Sequence, residues 1–271
     1  MDRISSPQNP RAKYLRHLHR RSFREREGRF LVEGVRFVQE ALRAGWPLDA
    51  VVYTERLLED PRGAALLQEA RARGIPLWET APAVFAGVAT TATPQGVLAV
   101  AAVRAFTLAE ILAPPRPLLV VVDGLRDPGN LGTLIRAAHA AAAAGVFLLP
   151  GTVDLYHPRT VRATAGSLFH IPVASAGGDE VLALLRRRGV TIFAADVHGE
   201  TSLYDCDLTG AAVLVLGSET AGARRALLDG ADFRVRIPMP GGAESLNAAA
   251  AGAIFLFEGV RQRLKTSLCS G

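Results

Sequence analysis

The sequence predicts an α/β protein built as two units in series. Two observations predict it. Apolar runs of strand length alternate with stretches of helical character along the whole chain. Between the halves stands Ala113-Pro-Pro-Arg-Pro117, three prolines in five residues, which continues neither a helix nor a central strand. The expected division is a first domain over 1–105, a linker over 106–117 and a second domain over 118–271.

In the first half, Asn9 to Gly28 reads as a basic helix. Arg29–Glu33 reads as a strand, and Val35 to Ala44 as a helix stopped by Gly45. Ala50–Thr54 is a strand, Gly63 to Arg73 a helix ended by Gly74, and Pro76–Glu79 a short strand. Gly96–Val103 is a buried strand. In the second half the strands are uninterrupted apolar runs: Leu118–Val122, Gly145–Leu149, Thr191–Ala195 and Val213–Leu216. Such runs suit strands covered on both faces of a parallel sheet. Helices are expected over Leu131 to Ala144, Glu180 to Arg188 and Ser245 to about Leu264.

Of 271 residues, 49% are hydrophobic and 21% charged, which excludes a disordered chain. Met1 to Pro10 lacks an apolar core, so no signal peptide is expected. No run of about 18 apolar residues suggests a membrane span. The two cysteines, Cys206 and Cys269, suggest neither a disulfide framework nor a metal cluster, so the expectation is a cytoplasmic protein without metal. The net charge is +5, unevenly spread. Residues 1–30 hold nine basic and three acidic side chains, +6 in all, leaving −1 for the rest. A basic head on a near-neutral body is a footprint for a polyanion, and equally a solvated helix face. Arg11, Lys13, Arg16, Arg20, Arg21 and Arg24 are the candidate contacts for such a polyanion.

Three loops follow strands of the second half, where α/β folds place ligands. Asp127-Pro-Gly-Asn-Leu-Gly-Thr133 opens a helix whose free N–H groups suit a polar ligand, with Arg136 expected within about the first turn. Alone, Arg136 reads as a surface arginine. Gly217-Ser-Glu-Thr-Ala-Gly222 follows a buried strand directly, and Glu219 there is either functional or a dipole-favoured acid at a helix start. Ile237-Pro-Met-Pro-Gly-Gly-Ala-Glu-Ser-Leu-Asn247 leads into the last helix, with Ser245 in the N-cap position. The glycine spacing is not that of a dinucleotide fingerprint.

Together, Asn130-Leu-Gly…Arg136, Gly217-Ser-Glu219…Gly222 and Ile237-Pro-Met…Ser245-Leu-Asn247 resemble the SpoU, or TrmH-type, branch of the SPOUT RNA methyltransferases in residue type, order and spacing. Asp154-Leu-Tyr…Ala165-Gly-Ser-Leu-Phe169 resembles the same family. Phe30-Leu-Val-Glu-Gly34 and Pro94-Gln-Gly-Val-Leu98 resemble the L30e-like substrate-binding domain that many of its members carry. Two departures are mild: Asp127 stands where asparagine or lysine is common, and Asn247-Ala-Ala-Ala-Ala251 where valine and serine are usual.

The resemblance implies a C-terminal domain with a trefoil knot, a homodimer, and S-adenosyl-L-methionine bound by Leu216, Gly217, Glu219, Ile237, Met239, Ser245 and Leu246. It implies methylation of an RNA ribose 2′-hydroxyl, with Arg136 activating the hydroxyl and Asn130, Glu219, Ser245 and Asn247 positioning it. Large-subunit ribosomal RNA is the expected substrate and transfer RNA the alternative. A non-catalytic RNA-binding protein of the same fold would be expected to lose one of the polar residues, and all stand here. A nucleotide-dependent oxidoreductase would need the fingerprint that is missing.

Overall fold

The parallel strands of the second half form one sheet, and the first half has a sheet of its own. The computed structural model describes residues 3–219 and 221–268, so Cys269 lies outside the described residues. The chain divides into two compact units, residues 1–104 with 154–169, and residues 105–153 with 170–271.

The first unit has four strands: β1 (Arg29–Glu33), β2 (Leu48–Tyr53), β3 (Leu77–Glu79) and β4 (Val97–Ala102), in the order β1-β4-β2-β3. Strand β4 pairs antiparallel with β1 and β2, and its residues Val97–Ala101 are fully buried. The basic stretch over 9–28 forms two helices rather than one, Pro10–His17 and Arg21–Glu27. The break has a physical reason. Arg24 turns inward and its Nη1 donates to the carbonyls of Leu18 and His19, both at 2.8 Å, satisfying acceptors that the ended helix leaves open.

The segment Asp154–Phe169 belongs to this unit although it leaves and re-enters the other sheet. Arg24 pairs with Asp154, the rings of Tyr156 and Phe30 lie 4.5 Å apart, and those of Phe169 and Trp46 lie 5.3 Å apart. Its helix Pro158–Ala163 starts with the His157 ring accepting from the Arg159 N–H at 3.2 Å.

The second unit has β5 (Leu118–Val122), β6 (Gly145–Leu148), β7 (Val173–Ser175), β8 (Thr191–Ala195), β9 (Thr201–Ser202), β10 (Ala212–Leu216) and β11 (Phe233–Arg236). They form a parallel sheet in the order β7-β6-β5-β10-β8-β11-β9. Strands β5, β6 and β10 are buried at every position, as two-face coverage requires. Residues 106–117 carry a one-turn helix, Leu108–Ile111, closed by a Thr107–Glu110 capping box, and Ile111 sits in the core of this unit.

The last helix runs Ala248–Leu268, three residues later at its start than expected. Its N-cap is Asn247 and not Ser245: Asn247 Oδ1 accepts from the N–H groups of Ala249 (3.0 Å) and Ala250 (3.2 Å). The helix packs on the helix Pro128–Ala140, and a Cβ on Gly252 would stand 2.4 Å from Leu134 Cδ1. Glycine there lets the two helices approach closely, which brings Asn247 to the start of its neighbour.

Candidate active site

Strands β5, β10, β8 and β11 are successive neighbours, so the loops at their C-terminal ends gather on one edge of the sheet. After β5, Asp127 caps the helix Pro128–Ala140 by accepting from the Asn130 N–H at 2.7 Å, with Pro128 in the first turn. After β10, Ser218 and Gly222 exchange backbone hydrogen bonds at 3.0 Å, which draws the chain back on itself. Gly217 has no room for a side chain, since a Cβ would lie 1.9 Å from both Ala223 N and Gly222 C. After β11 comes the exposed stretch ending in Asn247.

One hydrogen-bonded chain links all three loops. Asn247 Nδ2 donates to Asn130 Oδ1 at 2.8 Å, and Asn130 Nδ2 donates to Glu219 Oε1 at 2.9 Å. Because Asn247 Oδ1 also caps the last helix, its amide is fixed at both ends. Each of the two amides has a second N–H that this chain does not use.

Beside this chain lies a cavity of about 620 Å³, within the range for small-molecule sites. Six of the residues expected at a cofactor line it: Leu216, Gly217, Glu219, Ile237, Met239 and Leu246. Ser245 lines it too, exposed and without a hydrogen-bond partner among the described residues. The lining mixes apolar side chains with glycine and loop backbone, which fits the adenosine and methionine parts of S-adenosylmethionine: a flat apolar ring, a polar sugar and a charged tail.

Arg136 stands apart from the hydrogen-bonded chain. It is the ninth residue of its helix, in the third turn and not the first. At about 100° and 1.5 Å per residue it lies roughly 120° round and 9 Å along from Asn130. Its side chain is exposed and has no hydrogen-bond or ion-pair partner among the described residues.

Two residues at the site were not singled out in the sequence. Asp123, 3% exposed at the end of β5, accepts from Arg224 N at 2.8 Å and Nε at 2.7 Å. It thereby ties β5 to the loop that follows β10. The available signal was a lone acid directly after an uninterrupted apolar run. Asp196, following β8, lines the cavity and accepts from the His198 N–H at 2.9 Å. Among the described residues no group of three or more His, Cys, Asp or Glu side chains is arranged to hold a metal. No described helix is long and apolar enough to cross a membrane.

The six candidate RNA contacts fall into different environments. Arg24 is buried and engaged with Asp154 and two carbonyls. Arg21 pairs with Glu25 at 2.7 Å, Arg16 donates to the Pro7 carbonyl at 2.5 Å, and Arg11 lies over the Trp78 ring at 4.8 Å. Lys13 and Arg20 are exposed.

Comparison with known proteins agrees with the geometry. Residues 117–257 match the SpoU rRNA Methylase family, and residues 9–99 match the MRM3-like substrate binding domain. The chain is 36% identical to the 23S rRNA (uridine(2479)-2′-O)-methyltransferase of Streptomyces viridochromogenes, over 91% of this chain and 88% of that one. It is 33% identical to the 23S rRNA (guanosine(2553)-2′-O)-methyltransferase RlmP of Bacillus subtilis, over 95% and 98%. The crystal structure of the SpoU methyltransferase AviRb from Streptomyces viridochromogenes in complex with AdoMet superposes with a TM-score of 0.86, at 34% identity over 95% of this chain and all of that one. With three motif loops on one sheet edge, a cavity between them and full-length relatives of this kind, the chain belongs to the SpoU rRNA methylase family.

Proposed function

We propose that this protein transfers a methyl group from S-adenosylmethionine to a ribose 2′-hydroxyl of 23S ribosomal RNA, in the cytoplasm and as a homodimer. The observation that carries the reading is the Asn247–Asn130–Glu219 hydrogen-bonded chain at the rim of the cavity. The names of the relatives and the AdoMet-bound structural neighbour support it. The knotted path implied by the family resemblance is part of the same reading.

Leu216, Gly217, Ile237, Met239 and Leu246 would hold the cofactor, with Ser245 and Glu219 at its edge. When bound, S-adenosylmethionine supplies an electrophilic methyl group on a sulfonium, a leaving group that needs neither acid nor metal. The protein's work is then positioning and electrostatics. The unused amide N–H groups of Asn130 and Asn247 are available to a ribose oxygen, and both amides are held in place by their other bonds. By the family resemblance Arg136 would stabilise negative charge that develops on the 2′-oxygen as it attacks; within one protomer it stands apart from the Asn130 chain, so in this reading it reaches the oxygen only in the assembled dimer with RNA bound. A guanidinium with a pKa above about 12 takes no proton, so the hydroxyl proton passes to an RNA phosphate or to water.

The homodimer rests on the last helix. Phe255 and Leu256 are buried, yet Phe257 is 48% exposed and Leu264 60%, seven residues apart on one face. The assay is methyl transfer from labelled S-adenosylmethionine to 23S ribosomal RNA, with the ribose product identified by its resistance to alkali. Binding of NAD in place of S-adenosylmethionine would refute the reading.

A further inference from the structure

The cations of the first unit divide into engaged and free. Arg24, Arg26, Arg29 and Arg43 are in ion pairs with Asp154, Glu27, Asp49 and Glu40. The side chains of Arg36, Arg159 and Arg162 are exposed and have no hydrogen-bond, ion-pair or ring partner among the described residues. Two of these three come from the segment 154–169, far in sequence from the basic N-terminus.

The packing places the three on elements that meet. The segment begins beside the helix Arg21–Glu27, through Asp154 and Arg24, and ends beside the helix Val35–Arg43, where a Cβ on Gly166 would lie 2.9 Å from Glu40 Cγ. Arg36 lies one turn before Glu40 on that helix, on the same face. Between these two anchors the helix Pro158–Ala163 packs on β1 and presents Arg159 and Arg162, three residues apart and therefore on one side. The acids at the two anchors are already neutralised, Asp154 by Arg24 and Glu40 by Arg43 at 3.0 Å. His157 titrates below its ordinary value, first through burial and then through Arg24, with Asp154 opposing the shift and Arg159 adding a smaller push in the same direction.

We propose that Arg36, Arg159 and Arg162 form a phosphate-gripping strip that binds the backbone of the RNA substrate, with the segment 154–169 as its centre. The proposal rests on the RNA reading above and names the surface that serves it. Exposed, unpaired arginines match phosphate oxygens with paired donors and incur no cost of breaking an existing ion pair. The strip also accounts for the buried Arg24, which holds the segment in place rather than meeting RNA.

The test uses the full chain carrying Arg159→Glu and Arg162→Glu, with a 23S ribosomal RNA transcript as probe. Its control is Arg71→Glu with Arg187→Glu, which removes the same charge from two other exposed, unpaired positions. Binding is read as a function of salt. The strip variant should bind at least tenfold more weakly, with the slope of log K against log salt reduced by about 1.5 for two lost phosphates, and with unchanged affinity for S-adenosylmethionine. The control should keep most of the affinity. Wild-type affinity and slope in the strip variant, or an equal loss in the control, overturns the strip. If the wild-type protein binds S-adenosylmethionine but no RNA, the RNA reading falls and takes the strip with it. If the glutamate variant does not fold, Arg159→Gln with Arg162→Gln takes its place, with the same slope as readout.

Discussion

Asp123 accepts from both the backbone N–H and the guanidinium of Arg224, across 101 residues of sequence. The carboxylate is buried at the end of β5, and Ala223, next to Arg224, lines the cavity. The pair therefore sets where the loop after β10 lies. Asp123→Asn should weaken this hold at a cost of about 1–3 kcal/mol, since the buried acceptor loses its charge and one oxygen. The expected result is roughly tenfold weaker binding of S-adenosylmethionine by calorimetry, with kcat at saturating cofactor changed much less. Unchanged cofactor affinity would remove Asp123 from the positioning of the site.

Asn247 has two separable tasks, capping the last helix and donating to Asn130. Serine caps about as well as asparagine but has no second donor arm of that length. Asn247→Ser should hold the unfolding free energy within about 0.5 kcal/mol while kcat falls by roughly a hundredfold. Asn247→Ala should lose both, with a further 0.5–2 kcal/mol of stability, roughly. Thermal unfolding beside single-turnover rates separates the two; equal activity in the serine variant would leave Asn247 as a cap alone.

Gly217 admits no Cβ, because backbone atoms of Gly222 and Ala223 would stand 1.9 Å away. Gly217→Ala must push the loop into the cavity or apart from β10. Calorimetry should show loss of S-adenosylmethionine binding in a protein whose far-ultraviolet circular dichroism is preserved. Retained binding would place the cofactor elsewhere.

Much of this architecture was legible in the sequence, and most of the misses depend on contacts distant in sequence. The runs Leu118–Val122 and Val213–Leu216 are apolar at every position, and a strand buried on both faces reads that way. The three loops were legible because glycines, a cap and polar side chains cluster directly after such runs. Strand β11 escaped notice because Phe233-Arg-Val-Arg236 alternates over only four residues and Phe233 is exposed. The inward turn of Arg24 depends on Asp154, 130 residues away, and no local pattern encodes that. The grouping of 154–169 with the first unit has the same origin. The cap moved from Ser245 to Asn247 because Asn130 offers Asn247 a partner across the helix pair, which the local sequence does not reveal.

The exposed Phe257 and Leu264 make the dimer testable by one change. Phe257→Glu places a charge in the proposed interface, where an unpaired buried charge is strongly disfavoured. Light scattering at micromolar concentration should give a dimer for the wild-type chain and a monomer for the variant. A wild-type monomer would contradict the dimer outright.

The central claim is that this chain methylates a ribose 2′-hydroxyl of ribosomal RNA with Arg136 at the reacting oxygen. It is tested most directly by mapping 2′-O-methyl groups in 23S ribosomal RNA from cells lacking the gene, complemented with the wild-type chain or with Arg136→Ala. The account predicts one ribose methylation that is absent in the deletion, restored by the wild-type chain and not restored by the variant. In vitro, the variant should bind S-adenosylmethionine normally and react at least about a hundredfold more slowly. An identical methylation map in all three strains would contradict the account, and full restoration by Arg136→Ala would return that residue to the bare surface of its helix.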